Sequence, residues 1–189
     1  MKKAAFFYLA LVFLFSENIF GQDTTETFQK AKNTIFLEGG GNGGYGSINY
    51  ERYLRERKRN YLTCRIGFSY LPFGTAGRVY SVPFAFEFGY RNNKTVFSEF
   101  GLGISYINGL YSSYSNGISY ASSALYLSMR LLGLRVQKPN GGFFFNIGWT
   151  PFLKLMDFNS SYVHYYTGDS DKNVIEMVAI GMGYTIKHK

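Results

Sequence analysis

A chain of 189 residues is one domain of ordinary size, and this one is unusual in being 20% aromatic and only 17% charged, where a soluble domain carries about 25% charge. Mean hydropathy is −0.11, and after the N-terminus no apolar run approaches the roughly 20 residues of a membrane helix, which excludes a helical membrane protein. The single Cys64 excludes an internal disulfide and a cysteine-built metal site.

Residues 1–21 read as an export signal that is then removed. Lys2 and Lys3 form a basic start, Ala4 to Phe15 a short apolar core, and Gly21 a small residue before the cleavage point. No cysteine sits there to carry a lipid anchor. Residues 22–32 are polar and read as a flexible lead-in. The net charge of +8 would suit nucleic acid, but export removes the chain from it.

Eight strands are expected in the remainder, on period-two alternation bounded by Gly, Pro, Asn and charge clusters. They run Asn33–Gly40, Tyr45–Leu54, Asn60–Leu71, Val79–Tyr90, Thr95–Ile107, Ala121–Gln137, Gly142–Met156 and Asn173–His188. In the fourth, Val82, Phe84, Phe86, Phe88 and Tyr90 oppose Ser81, Pro83, Ala85, Glu87 and Gly89. In the last, Val178, Ile180, Met182, Tyr184 and Ile186 oppose Ala179, Gly181, Gly183 and Thr185. No Walker loop, zinc spacing or heptad accompanies them.

Size decides which face points inward. An eight-stranded barrel is just wide enough inside for side chains to fill it. Rows of Phe and Tyr from most strands would overfill it, whereas Gly, Ser, Ala and Thr with a few charges would fit. The expectation is therefore an all-β, eight-stranded, antiparallel, up-and-down transmembrane β-barrel with its bulky face toward lipid. Its lumen would hold Glu38, Glu51, Arg65, Glu87, Glu99 and Arg130, which must pair or be hydrated there. Tyr50, Tyr90 and Tyr184, with Phe143, would form one aromatic girdle, and Tyr70, Tyr80, Tyr106 and Trp149 the other.

The links after strands two, four and six are short: Arg55–Arg59, Arg91–Lys94 and Lys138–Gly141. Those after strands three, five and seven read as longer, Gly-, Ser- and Tyr-rich loops, and Gly41–Gly44 as a tight turn on the same side. Short turns at one end and long loops at the other is the outer-membrane arrangement, and an even strand number puts both termini at the short-turn, periplasmic end. Arg52, Arg55, Arg57, Lys58, Arg59, Arg91, Lys94, Arg135, Lys138, Lys187 and Lys189 fall at that end, and Asp157, Asp169, Asp171 and Glu176 at the other. A basic rim suits anionic phospholipid headgroups.

Three stretches carry a family resemblance: the signal ending Gly21-Gln22, Ile35 to Tyr53 (IFLEGGGNGGYGSINYERY), and Gly141 to Phe152 (GGFFFNIGWTPF). On these the chain resembles the small OmpA/OmpX-like outer-membrane barrels, and more closely uncharacterised barrel proteins of the Bacteroidota. The closing Gly181-Met-Gly-Tyr184-Thr-Ile186 is similar to the terminal assembly signal of such barrels, departing in its final Ile186 where an aromatic is usual. The resemblance implies a Gram-negative outer membrane, its lipids and lipopolysaccharide as surroundings, and the barrel-assembly machinery as partner during insertion. It implies a monomer without cofactor or metal and names no activity.

Two other readings use the same residues. Asp157, Ser160, Ser161, His164 and Asp169 in the last long link are residue types of nucleophilic catalysis, as in barrels that modify lipid A, but no spacing of theirs is matched. Loop residues of these types are also common without chemistry. A secreted lipocalin-like binder of an apolar ligand would need the aromatic face inside. Tyr111, Tyr114, Tyr120, Tyr162, Tyr165 and Tyr166 are adaptable contact residues for a surface partner or glycan, or would pack on one another above the rim. The expectation is a non-enzymatic barrel with a filled lumen and a structural or surface-interaction role.

Overall fold

The computed structural model describes residues 33–57, 59–72, 77–113, 118–138, 141–160 and 174–186. The signal segment and lead-in lie outside these residues. Eight strands form: β1 (Asn33–Gly39), β2 (Gly46–Glu56), β3 (Asn60–Pro72), β4 (Gly77–Arg91), β5 (Val96–Ser113), β6 (Ile118–Gln137), β7 (Gly142–Ser160) and β8 (Val174–Ile186). Each pairs antiparallel with its sequence neighbour. The ring closes where β1 meets β8, from Asn33 opposite Ile186 to Gly39 opposite Ile180. Closure leaves no unpaired sheet edge around the barrel.

Burial is inverted relative to a soluble barrel. The buried set is dominated by polar and charged side chains, among them Thr34, Glu51, Thr63, Glu99, Arg130 and Thr150. The exposed set is apolar on every strand: Leu37, Tyr50, Ile66, Phe86, Leu102, Val136, Ile147 and Met182 among others. A soluble monomer rarely shows a contiguous apolar patch above a few hundred Å², and this one encircles the molecule. An apolar ligand inside the barrel is at odds with this partition.

Four sequence expectations need correction. The links after β3 and β5 are short, since β3 ends at Pro72 and β4 begins at Gly77, and β5 ends at Ser113 and β6 begins at Ile118. What read as a Tyr- and Ser-rich loop continues the ladder, with Gly109 opposite Ser122 and Tyr111 opposite Tyr120. The Gly41–Gly44 segment is no simple turn at the rim. Residues Gly41–Gly43 form one 3-10 turn whose residues are all buried, tipped into the mouth of the barrel. Ser81 Oγ donates to Gly43 O at 2.8 Å and Ser105 Oγ to Asn42 O at 2.7 Å. Gly40, Gly41 and Gly44 all have positive φ, which side chains other than glycine resist.

The third correction concerns what fills the lumen. Phe36, Tyr53, Tyr61, Phe97, Phe144 and Phe152 are buried there, beside the small residues expected. Glycines on facing strands make the room: a Cβ on Gly89 would fall on the Tyr61 ring, and one on Gly183 on Phe36. The fourth is Arg135, which belongs to the lumen and not to the basic rim, as it is 1% exposed. Leu131 and Leu132 are both exposed in succession, and the β6–β7 register shifts between Ser128 and Leu132. The extra residue of that irregularity reverses the in-out alternation, so Arg130 and Arg135 point the same way despite their odd spacing.

Candidate functional site in the barrel lumen

Strand alternation delivers the six charged residues named from the sequence to one place. β1 supplies Glu38, β2 Glu51, β3 Arg65, β4 Glu87, β5 Glu99 and β6 Arg130, all fully buried. Arg65 Nη1 lies 3.2 Å from Glu38 Oε1 and 3.1 Å from Glu87 Oε1. Arg130 pairs with Glu38 through Nη2, and its Nη1 lies 3.0 Å from Glu99 Oε2 and 3.5 Å from Glu87 Oε2. Arg135 extends the chain, its Nη1 2.8 Å from Glu51 Oε1 and 3.2 Å from Glu99 Oε1. The result is one continuous network, Arg65–Glu38/Glu87–Arg130–Glu99–Arg135–Glu51, tying six neighbouring strands together across the lumen.

Aromatic rings close the lumen on the short-turn side of this network. Tyr53, Tyr61 and Phe97 stack in a row, with ring centroids 5.0 and 5.4 Å apart. The Arg135 guanidinium lies 3.9 Å over the Phe144 ring, a cation–π contact in a site without bulk water. Tyr61 Oη donates to Glu99 Oε1 at 2.5 Å, and Tyr53 Oη to Gln137 Oε1 at 3.3 Å. At the opposite mouth the buried 3-10 turn stands over Glu38, whose carboxylate would touch a Cβ at Gly41. Among the described residues, rings thus stand below the ion pairs and a backbone turn above them.

The sequence missed Arg135, Tyr61 and the other inward rings, though parity held a signal for most of them. Phe36 shares its face with Glu38, Tyr53 with Glu51, Tyr61 with Arg65 and Phe97 with Glu99. The tightness of this packing predicts a measurable cost. Gly89→Ala would drive a methyl into a Tyr61 ring boxed between Tyr53 and Phe97 and hydrogen-bonded to Glu99. Overpacking of this kind costs about 1–3 kcal/mol. Urea unfolding of the refolded barrel checks it, and Tyr61→Phe in the same background should not relieve the clash.

Tyr50, Tyr70, Tyr90, Trp149 and Tyr184 are exposed on the outer surface, and Tyr80 and Tyr106 are half-buried there against each other, 6.3 Å between ring centroids. Of the residues considered for nucleophilic chemistry, Asp157 is in β7 and pairs with Lys154 at 2.8 Å. Ser160 ends that strand, and Ser161, His164 and Asp169 lie outside the described residues. So do Tyr114, Tyr162, Tyr165 and Tyr166. Among the described residues no cluster of His, Cys, Asp and Glu has the makings of a metal site.

No protein-family model and no curated protein sequence matches the chain. Solved structures do share its fold. The N-terminal β-barrel domain of Pseudomonas aeruginosa OprF superposes with a TM-score of 0.52 at 10% identity, over 85% of this chain and 100% of that one. A major outer membrane protein from Thermus thermophilus gives a TM-score of 0.52 at 14% identity, over 82% of this chain and 99% of that one. At such identities the likeness is one of fold. The class it defines is the eight-stranded antiparallel closed barrel of the outer-membrane type.

Proposed function

We propose that the chain is an integral protein of a bacterial outer membrane, with both termini and the turns after β2, β4 and β6 on the periplasmic side. Its role there is structural or surface-interactive, without an open pore and without catalysis. The observation that carries this reading is the partition of side chains: an unbroken apolar exterior around an ionic, filled interior. Water cannot solvate that exterior at an acceptable cost, and lipid can. The aromatic residues toward both ends of the exterior suit the two headgroup regions. The resemblance of Ile35–Tyr53 and Gly141–Phe152 to Bacteroidota barrels supports a source in that phylum, after export through residues 1–21.

Refolding into phospholipid vesicles tests the proposal in two readouts. The folded form should resist detergent and migrate differently on a gel before and after heating. In planar bilayers the same preparation should give no steady single-channel current. Solubility without detergent would overturn the membrane assignment, and a sustained current would overturn the closed lumen.

A further inference from the structure

We infer that the short-turn end of the barrel, formed by the turns after β2, β4 and β6, carries a collar that binds the anionic phospholipid headgroups of the leaflet surrounding it. The inference rests on the membrane reading above and adds a lipid class to it.

Charge is distributed unevenly between the two ends. At the short-turn end Arg52, Arg55, Arg59, Lys94 and Lys138 are exposed. None of the five has an ion pair among the described residues. Outside the lumen, the acidic side chain described at that end is Glu56. At the other end Arg78 and Lys154 are offset by Asp157 and Glu176, and Lys154 is already paired with Asp157. Among the described residues the excess of positive charge is thus confined to one rim.

That rim is continuous with the apolar belt. Arg52 points outward from β2 between Tyr50 and Leu54, both exposed on the same surface. An arginine facing hydrocarbon is costly at the midplane and nearly free at the headgroup level, so Arg52 marks where phosphates lie. Its register partner on β1 is Asn33, and directly opposed residues carry their side chains side by side. Tyr50 Oη donates to Asn33 Oδ1 at 2.7 Å. This bond uses the amide oxygen, and Asn33 occupies the register position opposite Arg52. Two neighbouring donors, one of them cationic, at headgroup depth fit a phosphodiester oxygen. Arg55, Arg59, Lys94 and Lys138 extend the positive surface around the turns, where an anionic leaflet attracts each basic side chain.

Spin-labelled lipids test this on the full chain reconstituted in phosphatidylcholine vesicles. The fraction of label immobilised at the protein surface is measured for phosphatidylglycerol and for phosphatidylcholine. The expected result is a preference for phosphatidylglycerol of about fivefold, the factor contributed by one well-placed basic side chain, declining as salt rises. The triple substitution Arg52→Gln, Arg59→Gln and Lys94→Gln should lower the ratio by at least about twofold, Arg55 and Lys138 retaining the remainder. Arg78→Gln with Lys154→Gln at the opposite end should leave it unchanged. Equal immobilisation of the two lipids by the unaltered protein, or a preference insensitive to salt, overturns the collar while leaving the membrane barrel standing. The salt titration needs no variant, so it decides even where the triple substitution fails to fold. Absence of any immobilised component with either lipid overturns the membrane reading and the collar together.

Discussion

Replacing Arg130 with Met is expected to destabilise the barrel by about 3–5 kcal/mol, the cost of stranding buried charges by removing their partner. Arg130 faces three carboxylates, Glu38, Glu87 and Glu99. Met retains most of the side-chain volume, so the loss is electrostatic and not a cavity. Four buried carboxylates would then share two guanidiniums, Arg65 and Arg135. Arg65 reaches Glu38 and Glu87 from β3, and Arg135 reaches Glu99 and Glu51, so neither can replace Arg130 at the centre. Urea unfolding in vesicles measures the loss. Combining Arg130→Met with Glu87→Gln and Glu99→Gln should recover much of it, because Glu38 then pairs with Arg65 and Glu51 with Arg135 and no carboxylate is left stranded. A single variant as stable as the parent would mean that the network is hydrated and energetically idle.

Leu102→Arg is expected to cost about 2–4 kcal/mol, the penalty for a cation on the lipid face at the midplane of a barrel. Leu102 is 56% exposed. It lies midway along β5 between Tyr106 and Ser98, and Ser98 is the register partner of Tyr90. In the proposed membrane those tyrosines would mark the two headgroup levels and Leu102 the middle. In a water-soluble barrel the same substitution at an exposed position would change stability by less than about 0.5 kcal/mol. Leu54→Arg, beside the basic rim, should cost no more than about 1 kcal/mol. The contrast between the two sites, read from urea midpoints in the same vesicles, measures the depth profile directly.

Much of this architecture was legible from alternation alone. All eight strands fall where period-two patterning places them, and Val82 to Tyr90 show why: five bulky residues share one parity, and each wrong register would expose Glu87 to lipid. Where that contrast fades, alternation carries no signal. Gly109 to Tyr120 has few charges and few aliphatics, so nothing in it distinguishes an extended ladder from a loop. The inward aromatics were obscured by the assumption that bulk belongs outside. The lumen tolerates them because Gly89 and Gly183 lack side chains opposite Tyr61 and Phe36, a complementarity between strands that no single strand displays. Arg135 was out of reach for a different reason. The exposed pair Leu131 and Leu132 shifts parity halfway along β6, and such an irregularity has no reliable signature in one sequence.

The strands are unequal, and most of the inequality is at one end. The short turns keep Glu56 and Asn60, Arg91 and Val96, and Gln137 and Gly142 level, while β1 has 7 residues and β6 has 20. At about 3.3 Å per residue and a tilt near 40°, that makes β6 roughly 50 Å tall and β1 roughly 18 Å, against an apolar band of about 25 Å. In the proposed membrane the wall formed by β5, β6 and β7 would therefore stand clear of the bilayer like a parapet, while the sill at β1 and β2 would stay at its surface. The molecule has a front and a back within the plane of the membrane. Among the described residues the β1 side of the mouth stands low and the β6 side high. Recognition at this surface would depend on the compass bearing from which a partner arrives.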